Sequence, residues 1–157
     1  MIILIPDLFK SHHGSTSLPI RGYCQTDSFR CGLSAAWATV KFFQPKASLS
    51  SFREICNPLP NWGLSTQKMM NCLRKQGLHV AARESGFWDI QTAILGGHPV
   101  LTTLGGPDND DHWIVIYGFT ATHILFVGRV LPGFTKRKMK WRKFLKRCNS
   151  TILITYD

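Results

Sequence analysis

The two halves of this chain carry different hydrophobic periods, and any fold has to accommodate both in that order. From Cys31 to Phe43 there is no proline and only the early Gly32, and Leu33, Ala36, Trp37, Val40 and Phe43 recur at helical spacing. The alanines among them allow close approach, so this segment is expected to be a buried helix ended by Pro45. Ser48 or Ser50 can cap a second helix to about Cys56, and Asn57 to Asn61, with two prolines, reads as a turn-rich link. A third helix follows Ser65 or Thr66, with Met69, Met70 and Leu73 as its apolar stripe and Gly77 at its end. Leu78 to Ala82 is a short strand candidate and Phe87 to Leu95 a short helix before Gly96-Gly97. Beyond these, β-branched and aromatic runs dominate: Pro99–Leu104, His112–Phe119, Ile124–Val127 and Thr151–Thr155. Helices before strands, without βαβ alternation, favour an α+β fold in which an N-terminal helical half packs on a C-terminal antiparallel sheet. One domain over residues 1–157 is expected, with residues 1–22 as an irregular lead-in and no internal repeat.

Composition narrows the class. With 44% hydrophobic and 11% aromatic residues the chain is neither disordered nor fibrous. No stretch approaches the roughly 20 apolar residues of a membrane-spanning helix, and the apolar start Met1–Ile5 stops at Pro6-Asp7 without a preceding basic region. No secretory signal is expected, which suggests the cytoplasm or delivery into another cell. Five cysteines (Cys24, Cys31, Cys56, Cys72, Cys148) are an odd number without CxxC spacing, which argues against a disulfide framework or zinc ribbon and for a reducing compartment. The six histidines form no HExxH or HxxxH pair, and Asp108 to Asp111 lacks the glycine and glutamate of a calcium loop. Neither a metal nor a cofactor is expected.

The net charge of +10 is unevenly distributed. Arg129, Lys136, Arg137, Lys138, Lys140, Arg142, Lys143, Lys146 and Arg147 lie in one segment, and no acid separates Asp111 from Asp157. Such a segment is either a solvated basic face or a site for an anionic partner: nucleic acid, lipid or an acidic protein.

Chemistry points to the start of the first helix. A helix N-terminus carries partial positive charge and free N–H groups, so it favours thiolate over thiol at Cys31, and Arg30 acts in the same direction. Those N–H groups and the Gln25 side-chain amide can together receive the oxyanion of a tetrahedral intermediate. The leaving group then needs a proton donor. His112, opening a strong strand after a polar turn, is favoured weakly by position over His79, His98 and His123. The other cysteines read as structural, and of the five tryptophans Trp113 alone is expected near the site.

Gln25, the Cys31-Gly32 helix start, Gly97-His-Pro-Val-Leu and His112-Trp-Ile-Val-Ile-Tyr-Gly together resemble the papain-like cysteine peptidases. The likeness is greatest to the branch of bacteriocin-processing, double-glycine leader peptidases and their stand-alone relatives, and it runs from about residue 23 to the end. The resemblance implies Cys31 as nucleophile, His112 as general acid/base and Gln25 as oxyanion donor, acting on a peptide or protein substrate. It also implies an Asp or Asn on the strand after the histidine strand, where this chain reads Ile124-Leu-Phe-Val-Gly-Arg-Val130. An orienting group for His112 would then be Asn149, Asp157, Asp111, Asp27 or a backbone carbonyl. Peptide cleavage, deamidation and acyl transfer share this Cys–His pair, and a degenerate module that binds a peptide or anionic partner is the alternative from another class.

Overall fold

The computed structural model describes residues 16–24, 31–56, 65–105, 111–130 and 133–157. In chain order the elements are β1 (Thr16–Ser17), β2 (Tyr23–Cys24), α1 (Cys31–Phe43), α2 (Leu49–Ile55), α3 (Thr66–Lys75), β3 (His79–Glu84) and α4 (Phe87–Leu95). They continue as β4 (Val100–Gly105), β5 (Asp111–Phe119), β6 (His123–Val130), β7 (Gly133–Lys140), α5 (Trp141–Arg147) and β8 (Thr151–Tyr156).

Local chemistry accounts for the helix boundaries. The side-chain oxygen of Ser48 accepts from the Ser51 N–H, and that of Ser65 from the Lys68 N–H, so each serine satisfies a donor that the first turn leaves open. Gly77, at φ 88°, closes α3: its N–H reaches Arg74 O at 2.9 Å while Leu78 N–H reaches Leu73 O at 3.2 Å. Helix α1 is buried from residue 32 to residue 40 on all sides, which its alanines make sterically possible.

Every strand pair is antiparallel, in the order β2-β7-β6-β5-β4-β8-β3, with β1 added alongside β5. Thr16 and Ser17, within the stretch expected to be irregular, pair with Phe119 and Gly118. A Cβ at Gly118 would lie 2.6 Å from Thr16 O, so only glycine lets the β1 backbone come this close.

Alternation along β5 divides two cores. Trp113, Val115 and Tyr117 pack with α1, α2 and α3 residues such as Trp37, Phe52 and Leu73. Ile114 and Ile116 pack on the other face with Ile90 and Ile94 of α4 and Trp141 and Phe144 of α5. The fold is thus α+β with an N-terminal helical layer on an antiparallel sheet, and a second helical layer covers the opposite face.

Besides β1, two later elements depart from the sequence expectation. Strand β7 reads Gly-Phe-Thr-Lys-Arg-Lys-Met-Lys, with little β-propensity, yet it pairs with β6 over its whole length from Val130↔Gly133 to His123↔Lys140. Two of its cations lie over rings: Lys136 Nζ is 5.3 Å from the Tyr117 centroid, and the Arg137 guanidinium 5.8 Å from that of Phe126. Helix α5 hides inside the basic segment because only Trp141 and Phe144 of its seven residues are buried.

The cysteines correct a third expectation. Cys56, closing α2, and Cys72 of α3 form a disulfide with Cα atoms 5.1 Å apart, inside the usual range. The pairing depends on how the two helices dock, which residue spacing does not encode. Among the described residues no helix is long and apolar enough to cross a membrane.

Candidate active site

The sheet register and the direction of α1 position the candidate residues. His112 pairs with Leu104 and Asp111 with Gly105, so the start of β5 lies at the Gly105 end of β4. At its other end β4 pairs Val100 with Ile154 of β8, and β8 carries on to Tyr156, paired with His79 of β3. The C-terminus of α1 is tied to this second end, because Gln44 Nε2 donates to Gln76 O at 2.7 Å, two residues before Leu78 and β3. Helix α1, 13 residues and about 20 Å long, packs against β5, and its C-terminus is the end tied here. Of Cys31 the structure describes the backbone.

Strand β2 converges on the same end. Cys24 pairs with Gly133, and Gly133 with Val130, the last residue of β6. Because β5–β6 pairing runs through Val115↔Val127, residues Gly128 to Val130 continue toward the His112 end of β5. The last residue of β2, Cys24, therefore lies at the rim where His112 stands, and α1 begins seven residues later at Cys31. Gln25, Asp27 and Arg30, between these two points, lie outside the described residues, as does Trp62.

His112 is half-buried and belongs to neither core. The next residue, Trp113, is buried on the α1 face as part of that core. No side chain among the described residues hydrogen-bonds the imidazole. The remaining candidate orienters sort by topology. Asp157 follows Tyr156 at the opposite end of the sheet, about seven residues of strand from the level of His112, or roughly 24 Å. Asn149 donates to Thr103 Oγ1 at 3.2 Å, and its backbone N–H to Thr103 O at 2.9 Å, which commits it to the residue paired with Trp113. Asp111 is adjacent to His112 in β5, paired with Gly105. The part of β6 that runs toward His112 holds Gly128, Arg129 and Val130, with neither carboxylate nor carboxamide.

One brace of this rim was invisible in the sequence. Arg147, which the charge pattern groups with the basic segment, donates from Nε to Gly105 O at 2.8 Å, and Leu104 bridges to Cys148. The last turn of α5 thus fastens the end of β4 beside the His112 pair. Residue spacing holds no signal for it, since the contact spans 42 residues.

An N-terminal helical layer packed on an antiparallel sheet is the α+β fold of papain-like cysteine peptidases. Solved structures of peptidase domains have this fold. The peptidase domain of Streptococcus ComA, a bifunctional ABC transporter of a quorum-sensing pathway, matches with a TM-score of 0.67 and 14% identity over 87% of this chain and 97% of that one. A double-glycine-motif protease from an AMS/PCAT transporter, solved in complex with its leader peptide, matches at 0.68 and 14% identity over 89% and 93%. The N-terminal peptidase C39-like domain of a toxin-secretion ATP-binding protein from Vibrio parahaemolyticus matches at 0.62 and 14% identity over 82% and 98%. At this identity the likeness is one of fold. No protein-family model and no curated protein matches the sequence.

Proposed function

We propose that the chain is a cysteine-dependent peptidase in which Cys31 is the nucleophile, His112 the general acid/base and Gln25 an oxyanion donor. The observation that supports this reading is that the end of β2 and the start of β5 share one end of the sheet, while α1 packs on β5 with its C-terminus tied to the other end. The Cys31 thiolate, favoured by the dipole of α1, attacks the carbonyl carbon of a peptide bond, and the developing oxyanion meets free N–H groups of the first turn and the Gln25 amide. His112 protonates the leaving amine, then takes a proton from the water that releases the acyl group. A peptide is the substrate class in keeping with the fold, since the AMS/PCAT protease of the same fold was solved with a leader peptide bound.

A second reading is a degenerate papain-like module that binds without cleaving. It is favoured by Gly128-Arg129-Val130, which leaves β6 without a group to orient the imidazole.

Iodoacetamide labelling against pH separates the two. Without reductant the Cys56–Cys72 disulfide is protected, and the free, half-buried Cys148 is an internal control. The peptidase reading expects Cys31 to label selectively below pH 7 and His112→Ala to slow it. Labelling of Cys31 with the profile of an ordinary thiol, near pH 8.5, overturns that reading and leaves the binding module.

A further inference from the structure

The second helical layer carries a surface that the peptidase reading does not use. In α5, Trp141 and Phe144 face the core while Arg142, Lys143, Leu145 and Lys146 are exposed, which puts a leucine among three cations on one outward face. Arg137, over Phe126 of the same core, adds a fourth cation from β7. Helix α4 meets α5 at its start: the Phe87 ring lies tilted against Trp141 at 4.5 Å between centroids, and the next residue, Trp88, is 57% exposed. Leu95 and Leu145 are exposed as well. Asp89 is the one acid in either helix.

Exposed leucine, tryptophan and cations on adjoining helices fit one kind of partner better than the rest. A nucleic acid backbone would engage the cations and leave Trp88 and Leu145 in water. A bilayer with anionic headgroups satisfies both sets, because indole and leucine enter the interfacial region while guanidinium and ammonium groups stay at headgroup level. We propose that the α4–α5 face docks on an anionic lipid surface. Helix α1 lies on the other face of the sheet, so the docked chain keeps α1 turned away from the bilayer.

The test is co-sedimentation of the full chain with phosphatidylcholine vesicles, with and without phosphatidylserine, at about 0.1 M salt, where screening acts over roughly 10 Å. Binding should require phosphatidylserine and be released by high salt, a readout that needs no variant. With each cation worth about fivefold in partitioning, Arg142→Gln, Lys143→Gln and Lys146→Gln together should lower it roughly 100-fold. Trp88→Ser and Leu145→Ser should each lower it severalfold with an unchanged far-UV circular dichroism spectrum. The proposal is overturned by equal binding to both vesicles, by none to either, or by a triple variant that binds like the parent. Double-stranded DNA that binds equally well to Trp88→Ser and Leu145→Ser, with vesicles ignored, would reassign the face to nucleic acid.

Discussion

The two faces of the sheet are built from different materials. On one, an alanine-rich helix sits so close that residues 32 to 40 are all buried, and the layer is tied by hydrogen bonds at its end and by the Cys56–Cys72 disulfide. On the other, two short helices are anchored by a few large rings: Phe87, Phe119, Trp141 and Phe144 form a chain of centroids 4.5 to 6.3 Å apart. Small residues give backbone proximity, which suits a helix buried over most of its length against the sheet. Large aromatics give much burial from few anchors, which frees the outward side of a seven-residue helix for charge.

The largest expected effect breaks the aromatic face. Phe144→Ala should cost about 3–5 kcal/mol, since the ring is fully buried against Trp141, whereas Ala36→Gly in α1 should cost about 1 kcal/mol, chiefly in helix propensity. Urea unfolding of the two variants measures the difference, and equal losses would mean the faces are not distinct. Next comes the disulfide. It closes a loop of sequence separation 16, so reduction should lower stability by about 3 kcal/mol in the same assay, and an unchanged midpoint would mean the α1 layer does not depend on it.

The smallest effect concerns Tyr117, buried on the α1 face, where loss of solvent raises its phenol above the ordinary value of 10.0. A raised folded pKa favours the neutral phenol, so its contribution to stability is whole below the unfolded value and is lost as pH rises through the folded one. Tyr117→Phe should therefore match the parent's pH dependence up to about pH 10 and resist further alkali better, as followed by urea midpoints from pH 9 to 11. A constant difference across that range would sink this account.

Much of the helical architecture was legible. Segments 31–43 and 87–95 have the bounds their periodicity predicts, and Ser48 and Ser65 cap where expected, because propensity, caps and terminal glycines act within a few residues. The strand-forming runs from residue 99 onward were legible for the same reason, to within a few residues at their ends. Of the candidate site, the residue types at 25, 31 and 112 could be read, and so could the missing acid on β6.

What local chemistry cannot carry is pairing at a distance. Strand β7 is a strand because β6 offers a full register and Tyr117 and Phe126 offer rings beneath its cations. Cys56 meets Cys72 because α2 docks on α3, and Arg147 reaches Gly105 because α5 crosses the sheet toward the end of β4. The amino-acid sequence by itself determined where helices begin and end, which half is strand-rich and where the charge accumulates. Only the tertiary structure decided which ends meet, bringing the end of β2 to the His112 rim and ruling Asp157 out of it, because those distances depend on register summed over the whole sheet.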